Sequence, residues 1–181
     1  LSIGIANQDR RLKTERTKPK FAVMKGSELF LSGPALVQLL RAVLDKGAPV
    51  RFRAKGFSMS PFIKNEDVVT LSPLQNASPG VGDVIAFVLQ GTDKLCVHRV
   101  VRKDGDCCVT KGDNSSEADE SVPRENILGF VTRVERDGKE VFLGLGPERF
   151  LIAFLGRRGL LLPLILPMWK VLRLFIKRSP S

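Results

Sequence analysis

The chain has 181 residues, 43% of them hydrophobic, and carries 29 Lys and Arg against 19 Asp and Glu, a formal net charge of +10. That size suits one compact domain with extensions, and the apolar content is enough to bury a core. The charge sits at the ends: residues 1–25 hold seven basic and two acidic side chains, residues 148–181 hold seven and one, and the remainder holds 29 − 14 = 15 basic and 19 − 3 = 16 acidic. A neutral centre between basic tails excludes a nucleic-acid-binding core and points the tails at an anionic surface. Three cysteines, Cys96 and the neighbours Cys107 and Cys108, exclude a disulfide framework and lack the spacing of a zinc site. Free thiols in a reducing compartment, and no metal or other cofactor, are the expectation.

Residues 1–26 are polar, basic and aperiodic and read as a disordered tail. Over 27–48 an amphipathic helix is predicted, with Ser32 as N-cap, Pro34 in the first turn and Gly47 as the stop. Leu36, Leu40, Val43 and Leu44 recur on one face, opposite Gln38, Arg41 and Asp45. From 49 to 147 the pattern changes to short apolar runs separated by Gly, Pro, Asn and Asp. Strands are predicted at 51–54, 67–71, 83–89 and 95–102, the last turning at Asp104-Gly105 into 107–110. A second hairpin is predicted from 127–135 through Asp137-Gly138 to 140–145. Many short strands at near-regular spacing give a mainly β domain, a folded-over sheet or open barrel.

The segment 148–181 is apolar and basic, and its helical stretches are split by Arg157-Arg158, Pro163 and Pro167. Its longest uncharged run, Gly159 to Trp169, is eleven residues, against the roughly 20 a membrane-spanning helix needs. Basic residues bracketing Leu, Trp and Phe suit a segment lying on an anionic membrane surface.

Three stretches carry candidate chemistry. In Gly56-Phe57-Ser58-Met59-Ser60-Pro61, a glycine and a proline bracket a turn that can present the Ser58 hydroxyl at a sheet edge. His98, the only histidine, stands in Cys96-Val97-His98-Arg99-Val100-Val101. By strand alternation Cys96, His98 and Val100 share one face and Val97, Arg99 and Val101 the other. Histidine is well suited to take and return a proton near neutrality, provided its second ring nitrogen has a partner. Asp113, in Thr110-Lys111-Gly112-Asp113-Asn114, and Asp119 are both candidates for that partner. Taken singly, each of these residues is an ordinary turn or strand residue. Together they are the parts of a serine nucleophile with a base and an orienting carboxylate.

These motifs in this order, with Gly82-Asp83-Val84-Ile85-Ala86-Phe87 between the first two, resemble the type I signal peptidase family of the S24/S26 peptidase superfamily. The likeness covers about residues 50–135 and is greatest to the branch in which histidine replaces a lysine base. It implies a β-sheet fold and catalysis by Ser58 as nucleophile and His98 as base, with Asp113 or Asp119 in support. It also implies a peptide or precursor-protein substrate bound as an added strand and cut after small residues, typically Ala-x-Ala. Many members carry a serine two residues before the nucleophile as an oxyanion donor; here that position is Gly56. The oxyanion would then rest on backbone N–H groups of the turn, with Gly56 and Met59 shaping it.

Where a signal peptidase has a membrane anchor, this chain shows an amphipathic helix and a basic tail. With the free thiols, that favours peripheral attachment at the cytoplasmic face of a membrane. The resemblance leaves two alternatives to signal-peptide processing. One is a self-cleaving or partner-cleaving regulator of the repressor-peptidase type, which uses a lysine base. The other is a non-catalytic peptide-binding module.

Overall fold

The structure, a computed structural model, describes residues 33–164 apart from Glu120, together with Pro167. The predicted tail at 1–26, the Ser32 cap and most of the segment beyond 164 lie outside these residues.

The first element is helix α1, Gly33–Leu44. Val37, Leu40 and Leu44 are buried, and Gly47 follows at φ 76°, the left-handed conformation that ends helices. The strands are β1 Val50–Arg53, β2 Val68–Pro73, β3 Val84–Val88, β4 Leu95–Asp104, β5 Cys107–Lys111, β6 Ser121–Val122, β7 Ile127–Arg136 and β8 Lys139–Glu140. They form one antiparallel sheet in the order β1-β2-β7-β3-β4-β5-β6, with β8 paired to β7. Register shifts at Thr70/Leu71, Ala86/Phe87 and Val100/Arg102 mark bulges. Bulges sharpen the local twist, and the sheet curls into a half-barrel.

Strand β3 shows how the sheet is packed. Its alternating side chains serve two cores: Val84 and Ala86 join Leu40 and Leu44 of α1 with Val69, Leu71, Val131 and Val134. Ile85 and Phe87 join Val100, Cys108, Val122 and Ile127 on the other face. A strand covered on both faces needs apolar residues throughout, which is why Val84–Val88 reads as an unbroken hydrophobic run.

The second hairpin differs from its prediction. The turn is built on Asp137 and Gly138, both at positive φ, but β8 ends at Glu140 and does not run to 145. Gly144, at φ 108°, is drawn away from the sheet: its carbonyl accepts from Arg99 at 2.8 Å, and an added Cβ would lie 2.8 Å from Cβ of Phe62. Beyond it comes helix α2, Arg149–Arg157, whose Ile152 packs with Phe62 and Leu161 in a third, small core. No helix among the described residues is long and apolar enough to cross a membrane.

Candidate active site

Ser58 stands in the connection from β1 to β2. Gly56 has φ 98°, a conformation that favours glycine, and donates its N–H to Oδ1 of Asn65 at 3.0 Å. The turn closes with Ser60 N–H on the Phe57 carbonyl at 3.1 Å and Ile63 N–H on the Met59 carbonyl at 3.0 Å. Met59 is buried in the main core and anchors the turn from beneath; the Ser60–Pro61 peptide is cis. Further along, Arg136 holds both oxygens of buried Asp67, at 2.9 and 2.7 Å, and donates to the Phe62 carbonyl at 3.2 Å. The segment after the serine is thereby tied to β7.

From above, the turn is held by the loop after β5. Asn114 donates its backbone N–H to the Ser58 carbonyl at 2.7 Å and its side-chain amide to the Phe57 carbonyl at 3.3 Å. This approach requires Gly112, where an added Cβ would lie 2.7 Å from the Ser58 carbonyl oxygen and 3.1 Å from Ser58 Cβ.

His98 lies in β4 opposite Ile85. Its Nε2 is 3.1 Å from Ser58 Oγ, and its Nδ1 is 2.6 Å from Asp119 Oδ2. With Nδ1–H given to the carboxylate, the Nε2 lone pair faces the serine hydroxyl. The Phe87 ring meets the imidazole edge-on, centroids 5.9 Å apart. Asp119 is in turn fixed by Thr110, whose hydroxyl donates to the same Oδ2 at 2.7 Å and whose carbonyl accepts the Asp119 N–H, also at 2.7 Å.

Asp113 is placed elsewhere. It is buried, and its two oxygens accept from Nε and Nη2 of fully buried Arg99 at 2.9 and 2.8 Å. Arg99 Nη1 also donates to the carbonyls of Gly82 and Gly144 at 2.9 and 2.8 Å. Burial pushes the Asp113 carboxyl upward, while the two Arg99 hydrogen bonds and the Arg99 charge pull it down. The sequence leaves two aspartates open as the partner of His98. The structure puts Asp119 on the imidazole and makes Asp113 the counter-charge of an arginine that ties together three loops.

Sequence reasoning missed Thr110, Gly112, Asn114, Arg99 and Lys111. Lys111 is buried, and its ammonium donates to the carbonyls of Ser116 and Gly156, each at 3.0 Å. It thus joins the loop that carries both aspartates to the C-terminal end of α2, where a cation is favoured. All five belong to or face the Val97–Val101 and Thr110–Asn114 motifs, but as polar strand and loop residues they give no local sign of their partners.

A groove of about 510 Å³ leads to Ser58 and His98. One wall is β1 and its continuation through Ala54; the other is Leu95, Cys96 and Val97 of β4. Among the described residues β1 is paired only with β2, and β5 takes up β4 only from Arg99 onward. Arg53, Lys55, Lys64 and Lys94 also line the groove, with Lys55 ion-paired to Glu66.

A serine–imidazole–carboxylate chain at the mouth of a groove walled by two strands is equipped for acyl transfer. No curated protein and no solved structure matches the chain. Residues 29–133 match the family model described as Peptidase S24-like, and this span takes in Ser58, His98, Asp113 and Asp119. With more than half of its length matched, the chain belongs to the Peptidase S24-like family.

Proposed function

We propose that this serine peptidase is an endopeptidase of the signal-peptidase type, cutting an extended peptide after small residues through Ser58, His98 and Asp119. The observation that carries the reading is the pair of contacts on one ring: His98 Nε2 to Ser58 Oγ at 3.1 Å and Nδ1 to Asp119 Oδ2 at 2.6 Å. In the first half-reaction Ser58 Oγ attacks the scissile carbonyl carbon as its proton passes to Nε2. Asp119 offsets the positive charge that develops on the imidazole. The carbonyl oxygen, now negative, meets backbone N–H groups of the 57–59 turn. Collapse breaks the C–N bond, the leaving amine takes the proton from Nε2, and an ester of Ser58 remains. Water then gives a proton to Nε2, attacks the ester carbon and releases the acid, returning the proton to Ser58.

The substrate's extended shape follows from the groove. A strand laid between β1, which among the described residues pairs only with β2, and Leu95–Val97, which β5 does not reach, would extend the sheet, so main-chain hydrogen bonds would supply affinity. The self-cleaving regulator with a lysine base fits less well. The Lys111 ammonium is spent on two carbonyls, whereas His98 faces the serine.

The test is cleavage of an Ala-x-Ala peptide added in trans. Wild-type turnover that disappears in Ser58→Ala and in His98→Ala is expected. Equal turnover by Ser58→Ala would remove the catalytic assignment, and wild-type peptide binding with no turnover would identify a non-catalytic module.

A further inference from the structure

We propose that the outer face of α2, together with Phe142 and Leu143, docks on the surface of an anionic lipid bilayer. Among the described residues, seven of the ten exposed large apolar side chains fall between Phe142 and Leu164, a concentration that marks a surface built for contact. Phe142 is 76% exposed, Phe150 55% and Phe154 51%. On α2 the division is sharp: Ile152, Ala153 and Gly156 turn inward and are buried, leaving Phe150, Leu151 and Phe154 outside.

Charge identifies the occupant. The Arg149 guanidinium lies 5.0 Å from the centre of the Phe150 ring, and that of Arg158 lies 4.6 Å from the Phe154 ring. Arg149 also pairs with Asp83 at 3.1 Å. The nearby carboxylate of Glu148 is turned to the N–H groups of Gly144 and Gly146. From residue 149 to 181 the sequence holds seven Lys and Arg and no Asp or Glu, with Trp169 and Phe175 among them. On α2 the exposed Phe150 and Phe154 rings lie under guanidiniums with no acidic residue from 149 onward, which matches a bilayer, with rings below the headgroups and guanidiniums on the lipid phosphates and carboxylates. Lys111 on the Gly156 carbonyl and Arg149 on Asp83 fasten α2 to the sheet, so docking would hold the whole domain at the membrane.

The experiment is flotation of the full chain with vesicles of phosphatidylcholine alone or mixed with phosphatidylserine. Two double variants, Phe150→Ser with Phe154→Ser and Arg157→Ala with Arg158→Ala, alter exposed positions only, and unfolding temperature checks their fold. The wild type is expected to float with the anionic vesicles. The aromatic variant should partition at least about tenfold more weakly, and the arginine variant roughly 25-fold. Failure of the wild type to float overturns the proposal. So does equal flotation of the arginine variant, which would leave the basic N-terminal tail as the anchor. A dimer in light scattering that disperses in the aromatic variant would assign the face to a second copy of the chain and overturns it too. None of these outcomes bears on peptide cleavage, which is read separately.

Discussion

Asp119→Asn separates the carboxylate that serves His98 from the one that does not. Two donors, His98 Nδ1–H and the Thr110 hydroxyl, converge on the same oxygen of Asp119, at 2.6 and 2.7 Å. An asparagine must therefore keep its amide oxygen inward, so the imidazole keeps the tautomer that accepts from Ser58. What is lost, in the proposed reaction, is the negative charge facing the imidazolium of the transition state. A hydrogen bond to a charged group is worth about 1.5–3 kcal/mol, which corresponds to a fall in kcat of roughly 10- to 150-fold. Had the amide nitrogen faced the ring, the wrong tautomer would bring the loss nearer 10⁴-fold. Because Asp119 does not line the groove, KM should hardly change. Asp113→Asn is the control. It leaves Arg99 buried without its counter-charge, a change that costs about 3–5 kcal/mol and lowers Tm by roughly 6–20 °C for a chain of this size. Steady-state kinetics on a soluble peptide and a thermal melt of each variant decide the matter. If Asp119→Asn stays within about threefold of wild-type kcat, or the loss is all in KM, the assignment of Asp119 is wrong.

Gly112→Ala should slow cleavage although Gly112 itself takes no part in the proposed chemistry. Its Cβ would stand 2.7 Å from the Ser58 carbonyl oxygen and 3.1 Å from Ser58 Cβ, so the nucleophile must shift, and a displacement near 1 Å can cost on the order of 10²-fold in kcat; wild-type turnover would refute the packing argument. A pH effect is expected at Glu148, whose carboxyl is held below the usual range chiefly by the Gly144 N–H at 2.6 Å, with the Gly146 N–H adding to it at 3.0 Å. A depressed pKa means the contact contributes fully above the unfolded value, about 4.3 for glutamate, and is lost as pH falls through the folded one. Protection of the Gly144 and Gly146 amides in hydrogen exchange should therefore drop at acid pH, and Glu148→Gln should abolish that drop. Protection that is the same in both proteins at every pH would refute it.

Much of the sheet was legible because its strands are cut by turn chemistry that works locally. Gly105 after Asp104, and the pair Asp137-Gly138, supply positive φ where two strands must reverse, and the unbroken Val84–Val88 run announces a strand with no solvent face. The short β8 was not legible, since what pulls Gly144 off the sheet is an arginine 45 residues away. The same holds at the site. Ser58 and His98 could be named from their motifs, but the choice between Asp113 and Asp119 depends on register. Arg99 stands opposite Lys111 and Val100 opposite Thr110. Side chains two apart share a face, so His98, Val100 and Thr110 look one way while Arg99 and Lys111 look the other. Asp119 is latched by backbone and side chain to Thr110, and so arrives on the histidine's face. Asp113, just past Lys111, meets the arginine instead. A slip of one residue between β4 and β5 would exchange the two faces, leaving His98 without its carboxylate. The register of this strand pair, fixed beside the bulge at Val100/Arg102, is therefore as much a condition of the site as the serine and histidine themselves.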